Sequence, residues 1–97
     1  MSVVSVLSIT TRDGAALAGA FARLEIFEHS RLSGGFRGGR LLRPVGESNR
    51  YLVLAEWDSA EAYQRWLDNP VRVELAQQLE PLLDGDMTSG VLYEEVR

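Results

Sequence analysis

Apolar residues alternate or run together in four stretches of the chain, and between them lie segments in which they recur every three or four positions. Residues 3 to 11, "VVSVLSITT", are rich in β-branched types, with Val4, Val6 and Ser8 on one face and Val3, Ser5, Leu7 and Ile9 on the other. The "RDG" that follows ends the run, so a strand and a turn are predicted. From Ala15 to about Arg31 the apolar positions Leu17, Phe21, Leu24 and Phe27 recur at helical spacing, with Arg23, Glu25 and Glu28 largely off the stripe. This predicts one amphipathic helix, closed by the glycines of "SGG" at 33 to 35.

The second strand is "FRGGRLLRPV", read as Phe36, Gly38, Arg40 and Leu42 against Arg37, Gly39, Leu41 and Arg43, and ended by Pro44. After the turn residues "GESN" comes "RYLVLAEW" at 50 to 57, the strongest strand pattern in the chain. The short connection makes these two strands antiparallel neighbours. Asp58 with Glu61 three residues on reads as a capping box, so a helix starts just after Trp57, with Tyr63, Trp66 and Leu67 on one face. "DNP" breaks it. Val71, Leu75, Leu79 and Leu82 then mark another helical stripe up to "DGD" at 84 to 86, and "TSGVLYEEVR" is read as the last strand.

The order β-α-β-β-α-α-β over residues 1–97, read as one domain, predicts an α+β, ferredoxin-like fold: a four-stranded antiparallel sheet with helices on one face. Strand three is apolar on both sides, with Tyr51, Val53, Ala55 and Trp57 on one and Leu52 and Leu54 on the other. The face without helices therefore needs a cover, and a homodimer packing sheet to sheet would supply it.

Composition narrows the chemistry. The formal net charge of −4 and the absence of any basic cluster argue against a nucleic-acid surface. Every basic residue is arginine, so lysine Schiff bases and the phosphate-loop lysine are excluded. The absence of cysteine removes thiol nucleophiles, thiolate metal sites and disulfides, and a single histidine, His29, cannot build a two-histidine metal centre. No stretch approaches the roughly 20 apolar residues of a membrane span and the N-terminus lacks a signal-peptide pattern. A cytoplasmic protein that binds no membrane, metal or cofactor is the expectation. Gly34, Gly35, Gly38 and Gly39 fit neither glycine-rich phosphate motif.

The segment "GGFRGGRLLRPVGESNRYLVLAEWDSAEAYQRWLDNP", residues 34 to 70, resembles the centre of the antibiotic biosynthesis monooxygenase domain family. The likeness lies in a strand with Gly-Phe and a following glycine, a strand ending in Trp, a D/E-S-x-E-A-[FY] helix start, and a Trp one turn later before a helix break. It implies a dimeric α+β barrel in which the sheets pack together and the C-terminal strands exchange, with a cavity in each subunit between sheet and helices. Members include cofactor-free monooxygenases that oxidise anthrone-type polyketides to quinones, haem-degrading enzymes, and proteins of unknown substrate. The haem degraders carry a tryptophan at the place of Trp66, a haem-ligating histidine nine or ten residues further on, and an asparagine in the first strand. Here those places hold Leu75 and Ala76, and Val6, Leu7 and Ser8.

The resemblance thus implies cofactor-independent oxygenation of a planar aromatic of the anthrone, polyketide or quinol type. Trp66 is the candidate catalytic residue, and Tyr63, Phe21 and Leu75 are candidate substrate-binding residues. Core packing is the alternative for each, and a non-catalytic small-molecule-binding or structural homodimer is the alternative for the whole. Trp57 and Tyr51 read as sheet packing or dimer contacts and His29 as a solvated helix-end residue. Arg37, Arg40, Arg43 and Arg50 could meet an anionic substrate or pair on the surface, with Glu94 and Glu95 as partners across subunits.

Overall fold

Strands β1 (Val3–Thr10) and β3 (Arg50–Trp57) form the centre of the fold, pairing antiparallel along their whole length from Val3 with Trp57 to Thr10 with Arg50. The computed structural model describes residues 2–85 and 90–96. Strand β2 (Phe36–Leu42) flanks β3 and β4 (Val91–Tyr93) flanks β1, so the antiparallel sheet runs β2-β3-β1-β4. This is the ferredoxin-like arrangement expected from the element order.

The strands' period of two decides which side is covered. Val3, Ser5 and Ile9 of β1 and Tyr51, Ala55 and Trp57 of β3 are buried beneath α1 (Gly14–Arg23), α2 (Ile26–Leu32), α3 (Ala60–Leu67) and α4 (Pro70–Leu79). Trp57 and Tyr51 therefore pack against helices and not against a second sheet. The helices return Leu17, Phe21, Ile26, Ala62, Trp66 and Leu79 to the same core. A 3-10 turn over Glu80–Leu82 follows α4 and is tied to the end of β1, where Thr11 Oγ1 donates to the Leu82 carbonyl and Asp84 N–H to the Thr10 carbonyl.

Several local readings are revised. The single helix expected from Ala15 to Arg31 is two, because Glu25 takes a left-handed backbone (φ 51°, ψ 46°) between them. The change of direction buries Ile26 and Ser30 and lays the Phe27 ring over Gly39. A glutamate gives no sign of such a break, since left-handed conformation favours glycine. In β2 a bulge between Phe36 and Gly38 shifts the alternation by one residue, so Phe36 joins Gly39 and Leu41 on the helix side. Gly38 sits at that bulge with φ 147°, and a side chain on Gly39 would strike the Phe27 ring.

The cap of α3 is Ser59, whose Oγ accepts from Ala62 N–H at 3.1 Å, one residue beyond the Asp58 expected. Asp58 instead pairs with Arg37. Asn69 caps α4 by accepting from Val71 N–H at 2.9 Å, with Pro70 in the first turn, where its missing N–H costs nothing. The last strand is confined to Val91–Tyr93; Glu94 and Glu95 lie beyond it, exposed, and Asp86, Thr88, Ser89 and Arg97 of the expected "DGD" and final strand lie outside the described residues.

On the side away from the helices, Val4, Val6, Leu42, Leu52 and Leu54 are half-buried at most, and Val91 and Tyr93 are more than half exposed. Among the described residues nothing covers this apolar face. Among the described residues no helix is long and apolar enough to cross a membrane.

The left-handed Glu25 gives a direct check on the helix break. Glu25→Gly is expected to keep or raise the urea midpoint, whereas Glu25→Val is expected to lower stability by about 1 kcal/mol or more, since a β-branched residue is poorly tolerated there.

Candidate functional site

The sheet register places small residues in one row of its helix-facing side. Gly39 of β2 pairs with Ala55 of β3, which pairs with Ser5 of β1. The flanking rows are larger: Phe36, Trp57 and Val3 on one side, Leu41, Val53 and Leu7 on the other. Side chains on adjacent rows cannot fill a dent one row wide without leaving their rotamers. A cavity of about 70 Å³ results between this side of the sheet and the helices.

Ser5, Leu7, Val53, Ala55 and Trp57 form its floor. Its walls are Phe21 from α1, Ile26, Phe27 and Ser30 from α2, Tyr63 and Trp66 from α3, and Arg72, Leu75, Ala76 and Leu79 from α4. The four residues singled out from the sequence, Trp66, Tyr63, Phe21 and Leu75, are thus brought to one cavity from three helices. Each is also more than nine-tenths buried, so packing and lining are done by the same side chains.

An aromatic chain frames one side. Ring centroids are separated by 5.8 Å for Phe21–Phe27, 6.1 Å for Phe27–Phe36, 5.1 Å for Phe36–Trp57 and 5.5 Å for Trp57–Tyr63. These distances lie in the range where aromatic pairs attract, and most of the pairs are tilted or edge-on. This side of the cavity is therefore electron-rich.

The polar atoms in the lining divide into two groups. Ser5 Oγ accepts from Trp57 Nε1 at 3.1 Å and donates to the Ala55 carbonyl at 3.4 Å, while Ser30 Oγ donates to the Ile26 carbonyl at 2.9 Å. Tyr63 Oη accepts the Gly90 N–H at 2.7 Å, which leaves its own O–H to donate. By contrast, Trp66 Nε1 and the half-buried Arg72 guanidinium have no hydrogen-bond or ion-pair partner among the described residues. With the Tyr63 O–H, these donors on a mostly apolar lining suit a planar ligand with an acceptor or anionic oxygen.

Other candidates lie elsewhere. His29 is on α2 but outside the lining. Arg37 pairs with Asp58 at 3.2 Å and Glu56 at 3.8 Å, and Arg40, Arg43 and Arg50 are exposed away from the cavity. On the outer surface of α2 the hydrogen bond from Arg31 holds the Glu28 carboxyl below its ordinary value, and the same pair raises Arg31. Neither touches the cavity. Among the described residues no three His, Cys, Asp or Glu side chains gather as metal ligands.

Of the lining residues that the sequence does not single out for the site, Ser5, Trp57 and Arg72 bear most on its chemistry. Ser5 carries a signal, being the polar member of the series Val3, Ser5, Leu7, Ile9, whereas the pattern of Trp57 is that of sheet packing. Arg72 carries none, because its approach to Trp66 depends on the angle between α3 and α4 at the Asp68-Asn69 break.

Comparison with known proteins places the chain in a family and bears out its fold. The family model described as antibiotic biosynthesis monooxygenase matches residues 3–78. The chain is similar to SnoaB, a cofactor-independent oxygenase from Streptomyces nogalater, with 28% identity and a TM-score of 0.78 over 99% of this chain and 94% of that one. It is also similar to MhuD, a heme-degrader from Mycobacterium tuberculosis solved with two hemes in its active site, with 33% identity and a TM-score of 0.73 over 98% and 96%. A curated relative, the mycobilin-producing heme oxygenase of M. tuberculosis (strain CDC 1551 / Oshkosh), is 39% identical over 54 residues, 55% of this chain. That match spans about half the length of the curated relative, 51%.

Ser5→Ala tests the cavity floor. It leaves the buried Trp57 N–H without its acceptor and is expected to cost about 1 to 3 kcal/mol in chemical denaturation. Ser5→Thr, which keeps the hydroxyl, is expected to cost less.

Proposed function

The chain belongs to the antibiotic biosynthesis monooxygenase family, and from that premise we propose that it is a cofactor-independent monooxygenase of a planar, electron-rich aromatic. The observation that supports this reading best is the lining itself: aromatic and aliphatic walls, an indole N–H and a guanidinium among the described residues, and no histidine. SnoaB, similar over nearly the whole of both chains, is a cofactor-independent oxygenase.

The chemistry asks little of the protein. A phenol or anthrone that loses a proton to a base becomes an electron-rich anion able to reduce O2 by itself. One oxygen atom then enters the substrate carbon as a carbonyl and the second departs as water, with two hydrogens lost from the substrate, both from the methylene of an anthrone or one from carbon and one from the hydroxyl of a phenol. Trp66 would stack on the ring plane and donate its N–H to a substrate oxygen, which favours the anion. Tyr63 would donate its phenolic proton from the adjoining turn of α3, and Phe21 and Leu75 would hold the ring and exclude water. Admission of a fused ring requires the wall to move outward, since clefts that hold drug-sized ligands measure roughly 300 to 1,000 Å³. The short α2, set off from α1 by Glu25, is the wall segment suited to that motion.

Haem degradation is the second reading, favoured by the similarity to MhuD and to the mycobacterial heme oxygenase. The residues do not fit haem in the way the resemblance requires. Leu75 and Ala76 stand where those enzymes place a ligating histidine, and His29 does not line the cavity. Without an axial ligand, iron lacks its electronic control. A tight one-to-one hemin complex with a sharp Soret shift would reverse this preference.

The exposed apolar sheet face supports a homodimer formed by packing two such faces, with the C-terminal strand contributing. The family resemblance implies the same assembly.

Two measurements check these proposals. With metal-free protein and a panel of anthrones and hydroquinones, O2 uptake above background is expected, and Trp66→Phe is expected to lower it roughly tenfold, equivalent to one lost contact of about 1.4 kcal/mol. Failure of every substrate would favour a binding dimer. In sedimentation, a dimer is expected for the native chain and a monomer for Leu54→Asp, which puts a charge in the centre of the open face.

A further inference from the structure

We infer that Arg72 is a specificity-determining residue of the cavity, and that its ligands are planar aromatics carrying an ionised oxygen, a phenolate, enolate or aryl carboxylate, held against the guanidinium. This deepens the proposed function and rests on its reading of the cavity as the ligand site.

Among the described residues Arg72 is the sole charged member of the lining, set among Trp66, Leu75 and Ala76. It is half-buried and has no carboxylate partner among the described residues, whereas Arg12, Arg31 and Arg37 each have one. The guanidinium stays accessible beside apolar walls, and a ring that covers it there would meet its charge in surroundings of lower dielectric than water. Its place in α4 adds to this. Helix N-termini favour acidic residues, yet the first turn of α4 contains none and has Arg72 as its third residue.

The guanidinium is planar with several donors in a fixed fork, so it can hold both oxygens of a carboxylate or one phenolate oxygen edge-on to a ring. Another donor of the lining without a partner among the described residues, that of Trp66 Nε1, belongs to the neighbouring helix. A ring seated over Ala55 and Ser5 with its oxygen at Arg72 meets charge at one edge and apolar contact elsewhere. The same arrangement discriminates against neutral rings, which would leave the guanidinium desolvated and unpaired.

The experiment compares calorimetric binding of 2-naphthoate and of 2-acetylnaphthalene, nearly equal in shape and differing in charge. The native protein is expected to bind the anion about tenfold more tightly or better, with Arg72→Met abolishing the preference and Arg72→Lys restoring part of it. Equal or tighter binding of the neutral ligand by the native protein would overturn the role of Arg72 while leaving the cavity reading intact. Retention of the preference in Arg72→Met would do the same. Binding of neither ligand would count against both. Should Arg72→Met fail to fold, raised NaCl is expected to weaken only the anion in the native protein, and an unchanged ratio would overturn the inference.

Discussion

Trp57 is 1% exposed, yet its indole N–H cannot be left without a partner, and the atom that meets it is the hydroxyl of Ser5 on the neighbouring strand. That single hydrogen bond constrains much of the fold. It ties the end of β3 to β1 and orients the largest buried ring, against which Phe36 of β2 and Tyr63 of α3 then pack. It also requires a small polar residue at position 5, opposite Ala55, where a core would ordinarily hold a larger apolar one. Stability of the sheet and the existence of the cavity thus share a cause: the residue that satisfies Trp57 is too small to fill the space beside it.

From this floor the site is assembled by helices with separate reasons for their positions. The capped start of α3 at Ser59 follows directly on Trp57 and brings Tyr63 and Trp66 over the sheet. The cap at Asn69 and the proline after it restart the chain as α4, which supplies Arg72, Leu75 and Leu79. The left-handed Glu25 turns α2 inward so that Phe27 closes the far side over Gly39. Such backbone costs of order 1 kcal/mol are retained where surrounding packing fixes them. Here that packing is the aromatic chain from Phe21 to Tyr63.

Much of this was legible in the residues. Period-two and helical spacing placed all four strands and the helices in order, because burial of one face dominates those patterns, and the Trp66 segment was recognisable by its likeness to a family. What escaped depended on single residues whose conformation opposes their type, or on angles between elements. Glu25 breaks a helix that its neighbours' periodicity continues. The bulge at Gly38 reverses the alternation that would have turned Phe36 outward. Arg72 looks like any surface arginine until the turn at Asp68-Asn69 brings it beside the cavity. Leu75 was named as a ligand contact and lies in the lining, but so do Leu7, Val53 and Leu79, which no sequence argument separates from ordinary core.

The central claim is that the space between the small-residue row and Trp66 is where a planar aromatic binds. The chain has two tryptophans, so its ¹⁵N-labelled form gives two indole N–H resonances, one fixed on Ser5 and one without a partner among the described residues. Titration with 2-naphthoate followed at those resonances tests the claim most directly. The expected result is a saturable shift of the Trp66 indole with a smaller change at Trp57, accompanied by shifts along α2 and α4. Shifts confined to residues of the open sheet face, such as Leu52, Leu54 and Val91, would contradict it.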